Sequence, residues 1–424
     1  MTTANTDNLI EPLGKRSWKR MLPLLAALGP GIIAASAGND AGGIATYSAA
    51  GASYGYATLW MIFVMTFSLV IVQEMAARMG MVSGKGFAAL IRERFGIRPT
   101  LFAMVCLLAS NAATSVAEFA GIAAALELFG ISKYISVPIA AVGVWFLVVR
   151  GSYQRVEKLL LGLSAVFLAY VVAAFMAKPD WGAVLKATVV PTFIPTTSFV
   201  LIVIATIGTT IAPWMQFFVQ SNIVDKGAGV KDMLYSRIDV ISGAVAANIV
   251  AWFIIVTTAT VLYPRHILAS SAENAARALA PVAGPYASAL FAIGLFGASL
   301  LAAFVLPLTA SYAICEAFGF ERGIDRTWAE APVFNGVYTF VIFFGALFVL
   351  VPSAPLVTIM VLSQAVNGVL LPFLLIYMMI IVNDRRIMGR CVNGRVYNVL
   401  GWTTVAVVIG LTVALLAMQA LGMS

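Results

Sequence analysis

The chain has 424 residues, of which 61% are hydrophobic and only 10% charged, and its mean hydropathy is +0.97. A soluble domain carries about 25% charged residues, so this composition excludes one and predicts an all-α integral membrane protein with no soluble appendage. Three scattered cysteines (Cys106, Cys315, Cys391) and a single histidine, His266 in a polar loop, exclude a disulfide framework, a thiolate metal site and a histidine cluster.

Residues 1–21 are polar and basic and are expected to form a cytoplasmic tail. A full-length span follows, without the short apolar core and small-residue cleavage site of a signal peptide. Eleven spans are predicted, at about 22–53, 57–82, 101–128, 135–150, 156–177, 198–222, 236–263, 286–318, 333–351, 354–382 and 397–421, against a hydrocarbon layer ~30 Å thick. Residues 22–424 then form one transmembrane domain.

The first span is interrupted. SAGNDAGGIA (residues 36–45) puts Asp40 and three glycines where a membrane helix is normally most apolar, with Pro30 upstream. Each glycine costs ~1 kcal/mol relative to Ala in a regular helix, so unwinding here is cheap. A carboxylate at mid-membrane usually marks an ion or substrate site. The alternative is a simple kink whose Asp pairs with a base, but no Lys or Arg lies within any span core.

In the second span Glu74 precedes Arg78 by one turn and is expected to pair with it. Glu118 in the third span and Asp239 in the seventh read equally as a water path or as interface groups. The sixth span carries IGTTIAPWMQ (residues 207–216), whose Pro213 cannot donate to the carbonyl of Thr209, so that oxygen is left free. In the tenth, LSQAVNGVLLPF (residues 362–373) sets Gln364 and Asn367 one turn apart, as helix–helix glue or as ligands.

Sorted by side, 21 of the 26 Lys and Arg residues fall on the face that holds the N-terminus. The positive-inside rule makes that face cytoplasmic, and eleven spans put the C-terminus outside. Topology thus explains the net charge of +8, and no nucleic-acid partner is expected. Breaks in spans one and six predict a five-plus-five inverted repeat (about 22–177 and 198–382, then an extra helix at 397–421), with the two unwound points meeting at the midplane.

At these residues the chain resembles the natural resistance-associated macrophage protein (NRAMP) family of divalent-metal transporters. GPGIIAASAGNDAGGIAT is similar to the family's first-helix pattern, GTTIAPW to its sixth, LSQ…LPF to its tenth, VAEFAGIAAAL (residues 116–126) to its third and RVEKLLLGL (residues 155–163) to the start of its fifth. The resemblance implies a leucine-transporter-type fold, Asp40 as metal ligand, no cofactor and no enzymatic activity.

The departures point to a particular branch. Gly43 stands where the family has an asparagine ligand, Ala212 where it has a thioether methionine, Trp214 where it has a histidine tied to proton coupling, and Ser115 where the third helix has a second acidic residue. Thioether sulfur selects softer metals, whereas Mg²⁺ takes oxygen only and keeps several waters. A site of Asp40, the Thr209 carbonyl, and the Gln364 and Asn367 amides, with Gly43 and Ala212 leaving room for water, is similar to the NRAMP-related magnesium transporter branch. The expectation is uptake of Mg²⁺, and of Mn²⁺, by a monomer in the bacterial inner membrane, uncoupled from protons. The lipid bilayer and the metal are its partners, and Glu118, Trp214 and Asp239 are candidates for a proton or water path. The alternatives are a proton-coupled Mn²⁺/Fe²⁺ transporter, with Met215 three residues on from Ala212 supplying the thioether, and a Na⁺-coupled organic-solute transporter of the same fold.

Overall fold

The computed structural model describes residues 38–149, 165–323 and 326–421. The basic tail, Pro30 and its flanking glycines, and residues 155–163 lie outside the described residues. The described chain is helical throughout: α1 (Ala41–Tyr54), α2 (Leu59–Ser83), α3 (Phe87–Phe95), α4 (Ile97–Glu127), α5 (Lys133–Val149), α6 (Ala169–Ala177), α7 (Trp181–Val189), α8 (Thr197–Thr210), α9 (Pro213–Asp225), α10 (Met233–Val261), α11 (Ala287–Phe318), α12 (Pro332–Val349), α13 (Leu356–Val382) and α14 (Arg395–Ala420), with short helical turns between some of them. Eight stretches among the described residues are long and apolar enough to cross a membrane, and Lys133–Leu147 is a shorter apolar helix. One of the eight, Ala41–Ser83, holds the described part of the first predicted span and all of the second. With α6 as the described end of the fifth, each of the eleven expected spans has its counterpart.

Both expected breaks are present. The first helix is unwound at Asn39 and Asp40, and α1 starts immediately after. In the sixth span α8 stops at Thr210 and α9 starts at Pro213, with extended backbone at Ala212 between them. Proline suits a helix's first turn, where its missing N–H is no loss.

Two helix groups frame the breaks. α10 packs against α1, α2 and α6, while α4 packs against α11, α12 and α13, and α8 lies along α13. At 31 residues, α4 is about 46 Å long, longer than the hydrocarbon is thick, and forms the pillar of the second group. Hydrophobic burial adds little to helix association inside lipid, so close backbone approach and hydrogen bonds do the joining. Gly208 of α8 shows the approach: a Cβ there would collide with the backbone of Gln364 and Gly368 on α13. Asn111 shows the bonding, donating from α4 to the Leu306 carbonyl of α11 at 3.0 Å. Pro307 follows within α11.

Glu74 and Arg78 pair as the spacing predicts, at 3.2 Å. The structure adds Arg237 of α10, whose Nε reaches the other Glu74 oxygen at 2.7 Å. Arg78 also donates to the Cys391 carbonyl at 2.6 Å and to Asn393 Oδ1 at 2.5 Å. One buried carboxylate thus ties α2 to α10, and through Arg78 to the loop before α14. Breaking such a buried pair by removing one partner costs about 3–5 kcal/mol.

Candidate functional site

Asp40 is the N-cap of α1. Its backbone is extended (φ −73°, ψ −179°), its carbonyl accepts from Ile44 N at 2.9 Å, and its Oδ1 accepts from Gly43 N at 2.6 Å. The residue is 3% exposed. No Lys or Arg is paired with it among the described residues.

Its neighbour is another acid. Glu118, fully buried on α4, accepts from Ala41 N at 3.2 Å through Oε2, and its carboxyl group lies beside that of Asp40. Glu118 was expected at most along a water path, and the structure places it at the break itself. Its Oε1 has no hydrogen-bond partner among the described residues.

Thr209 comes from the opposite break. A Cβ built on Gly43 would lie 2.9 Å from Thr209 Oγ1 and 3.2 Å from Asp40 Oδ1, so both side chains border the Gly43 position. Thr209 Oγ1 is buried, close to the Tyr47 hydroxyl. The Thr209 carbonyl has lost its i+4 donor to Pro213. Next to it, Thr210 Oγ1 and Tyr47 Oη are hydrogen bonded at 3.0 Å, joining α8 to α1.

The expectation that Gly43 leaves room for water does not hold in this conformation, because Thr209 Oγ1 and the Gly38 carbonyl fill that space. Gly43 contributes its N–H to the Asp40 cap instead. Ala212 is buried at the head of α9.

Gln364 meets the site from α13. Its amide lies directly over Gly42, where any Cβ would overlap it. Its Oε1 accepts from Asn367 Nδ2 at 2.8 Å. The rest of Asn367 is also engaged: Oδ1 accepts from Ser110 Oγ at 2.6 Å, and Nδ2 donates to Thr114 Oγ1 at 2.9 Å. Asn367, expected as a ligand, is therefore bound to α4 and holds Gln364 in position. Ser110 and Thr114 were missed, although with Glu118 they stand at i, i+4 and i+8, a polar stripe on one helix face that the sequence displays.

The other two path candidates are both buried. Trp214 is fully buried against Phe218, ring centroids 6.0 Å apart, and its Nε1 has no partner among the described residues. Asp239 is buried on α10, where its carbonyl accepts from Ser242 Oγ at 3.0 Å.

A cavity of about 10 Å³ lies beside the break, lined by Asn39, Gln73, Tyr47, Thr210, Asn248 and Met215 among others. That volume holds one water. Asn39 was missed, though it adjoins Asp40 within the interrupted stretch. Met215 points here too: a Cβ on Gly38 would lie 2.5 Å from its Cε and 3.9 Å from its Sδ, and that sulfur accepts from Gln73 Nε2 at 3.5 Å.

Among the described residues no group of three or more His, Cys, Asp or Glu side chains forms a metal cluster. The site is a carboxyl pair, a threonine and an amide at two opposed helix ends. Residues 31–418 match the family described as natural resistance-associated macrophage protein-like. The chain is 28% identical over 411 residues to the divalent metal cation transporter MntH of Bacillus subtilis, covering 95% of this chain and 93% of that protein. It is equally 28% identical over 411 residues to the MntH of Deinococcus radiodurans, with 94% and 90% covered. The fold superposes on the crystal structure of the Eremococcus coleocola manganese transporter, in complex with an aromatic bis-isothiourea substituted compound, with a TM-score of 0.78 at 22% identity, covering 98% of this chain and 90% of that one.

Proposed function

The chain belongs to the natural resistance-associated macrophage protein-like family, and from that membership we propose that it carries divalent cations into the cell, Mg²⁺ in preference to Mn²⁺, without obligatory proton coupling. It is a multi-pass membrane transporter of the leucine-transporter fold type and not an enzyme. The metal preference and the absence of coupling are our reading.

One observation carries the preference. Beside Asp40 stand a second buried carboxyl group, Glu118, and the buried hydroxyl of Thr209, with no Lys or Arg paired with either carboxyl among the described residues. With Asp40 and the Gln364 amide, these donors are all oxygen, and two carboxylates match the charge of a divalent ion. Hard, oxygen-only donor sets suit Mg²⁺. In the closed contact of Gly43 with Thr209, a hydrated ion has no room, so loading requires α1 and α8 to part at their breaks.

The drive for such a uniporter is the membrane potential, ~2.3 kcal/mol per charge per 100 mV and about twice that for a divalent ion. The histidine position holds Trp214, whose indole does not titrate.

The Met215 thioether favours a second reading, a proton-coupled Mn²⁺ transporter whose soft ligand comes from one turn below Ala212. Flux of Mg²⁺, Mn²⁺ and Ca²⁺ into proteoliposomes, measured side by side with a luminal pH dye under a K⁺/valinomycin clamp, separates the two. The Mg²⁺ reading expects Mg²⁺ flux at least equal to Mn²⁺ flux, no metal-dependent acidification above protein-free vesicles, and a Met215→Leu variant with an unchanged Mg²⁺/Mn²⁺ ratio. Mn²⁺-only flux with acidification establishes the second reading.

A further inference from the structure

A separate groove of about 670 Å³ opens between α13, α14 and the end of α3, on the face that carries the basic loops. Its rim holds Arg94, Arg385 and Arg386, its floor includes Met379 and Ile380, and Trp402 closes one side.

The charge is unevenly balanced. Arg94 Nε pairs with Asp384 at 2.7 Å. The Asp384 carboxyl is held below its usual range by the Arg386 backbone N–H, then by the Arg94 side chain and the Arg386 charge, so one carboxylate faces three arginines. Arg385 and Arg386 are exposed and hold no ion-pair partner among the described residues. The floor below them is apolar, and Trp402 shares one face of α14 with Val399, Ile409, Val413 and Leu416, all exposed. That stripe faces lipid, with Trp402 at the interfacial level where tryptophan is enriched.

We propose that this groove binds the headgroup of an anionic phospholipid, its phosphodiester held by Arg385 and Arg386 and its glycerol–acyl root lying on Ile380, Met379 and Trp402. Guanidinium groups match phosphate oxygens in a planar, two-pronged geometry, and basic pockets between membrane helices on the cytoplasmic side suit such headgroups. A free phosphate offers the same oxygens to the arginines but leaves the apolar floor and Trp402 unused, which favours the lipid. The groove also connects to the rest of the molecule. Asn383 Nδ2 donates to Asn398 Oδ1 at 2.7 Å, the same oxygen accepts from Asn393 Nδ2 at 3.2 Å, and Asn393 holds Arg78.

The test uses the full chain purified in detergent and titrated with phosphatidylglycerol, phosphatidylcholine or inorganic phosphate, read by native mass spectrometry and thermal shift. Phosphatidylglycerol is expected to bind as a single adduct at least tenfold more tightly than phosphatidylcholine. The Arg385→Gln/Arg386→Gln variant should weaken it about thirty-fold, from near-surface basic residues worth roughly fivefold each. Arg385→Lys/Arg386→Lys, which keeps the charge but loses the two-pronged geometry, should bind between the wild type and the Gln variant, and Arg265→Gln/Arg277→Gln, in the loop between α10 and α11, should retain all of the binding. Wild-type phosphatidylglycerol binding by a Gln variant with an unshifted melting temperature overturns the proposal. Displacement of the lipid by millimolar inorganic phosphate also overturns it, in favour of a soluble anion.

Discussion

Asp40→Asn separates the two tasks of this residue. As N-cap, Asp40 receives the Gly43 N–H at 2.6 Å, and asparagine caps as well as aspartate, whereas alanine there costs about 1 kcal/mol. The Asn variant should therefore match the wild type in thermal stability, and Asp40→Ala should fall only slightly below it. As a ligand, Asp40 loses its charge in either variant. Removing one partner of a buried charge pair costs about 3–5 kcal/mol, which at 1.4 kcal/mol per factor of ten lowers divalent affinity by roughly two to three and a half orders of magnitude. The assay is isothermal titration with Mg²⁺ and Mn²⁺ beside flux into proteoliposomes, with melting temperature as the folding control. A folded Asp40→Asn protein that transports within about threefold of wild type refutes the placement of the cation at this break.

Glu118→Gln keeps an acceptor for the Ala41 N–H and removes one negative charge; Mg²⁺ affinity by titration should fall tenfold or more with little change in melting temperature. Gly42→Ala forces a Cβ into the Gln364 amide, which must swing and give up its bond to Asn367, so flux should drop at least tenfold, while a loss no larger than that of a surface Gly→Ala would show that Gln364 is a spacer. Gly208→Ala meets backbone that cannot swing aside, and the thermal shift should exceed that of Gly42→Ala, since overpacking costs about 1–3 kcal/mol where neighbours do not yield. Ala212→Met should raise Mn²⁺ or Cd²⁺ binding over Mg²⁺ by adding a thioether; an unchanged ratio in competitive titration would place selectivity elsewhere. Gly43→Asn is a poor companion to it, because Thr209 Oγ1 stands 2.9 Å from the new Cβ.

The breaks were legible because proline, glycine and aspartate in an apolar run violate local rules that every regular span obeys, and no structure is needed to see Pro213 remove the donor for Thr209. The partner of Asp40 was harder. Glu118 lies 77 residues away, on another helix, and nothing in the spacing of one chain shows which face of α4 meets α1. The stripe of Ser110, Thr114 and Glu118 did show a polar face, and reading it as one face would have brought Asn367 and Glu118 into a common frame. Asn367 misled for a related reason: a carboxamide in an apolar span advertises a need for partners, and only packing shows whether another helix or a ligand supplies them. Glu74 was half legible, its i+4 partner Arg78 being local and its second partner Arg237 depending on the packing of α2 on α10.

The carboxyl pair also bears on how the cation is moved. Two buried carboxylates side by side repel when both are ionised, and a bound divalent cation relieves that repulsion. What decides coupling is whether a proton leaves such a pair when the metal arrives, and on which side. A group that titrates near neutral pH on the cytoplasmic side would relay it inward with the metal, and the side chain suited to that is histidine. Trp214 occupies that position, and Ser115, not a second acid, precedes Glu118. Among the described residues on that side, Glu74, Arg78 and Arg237 are bound to one another. In the uncoupled cycle that we propose, a proton displaced by the metal returns to the side from which the metal came, so that two charges move and no proton is carried.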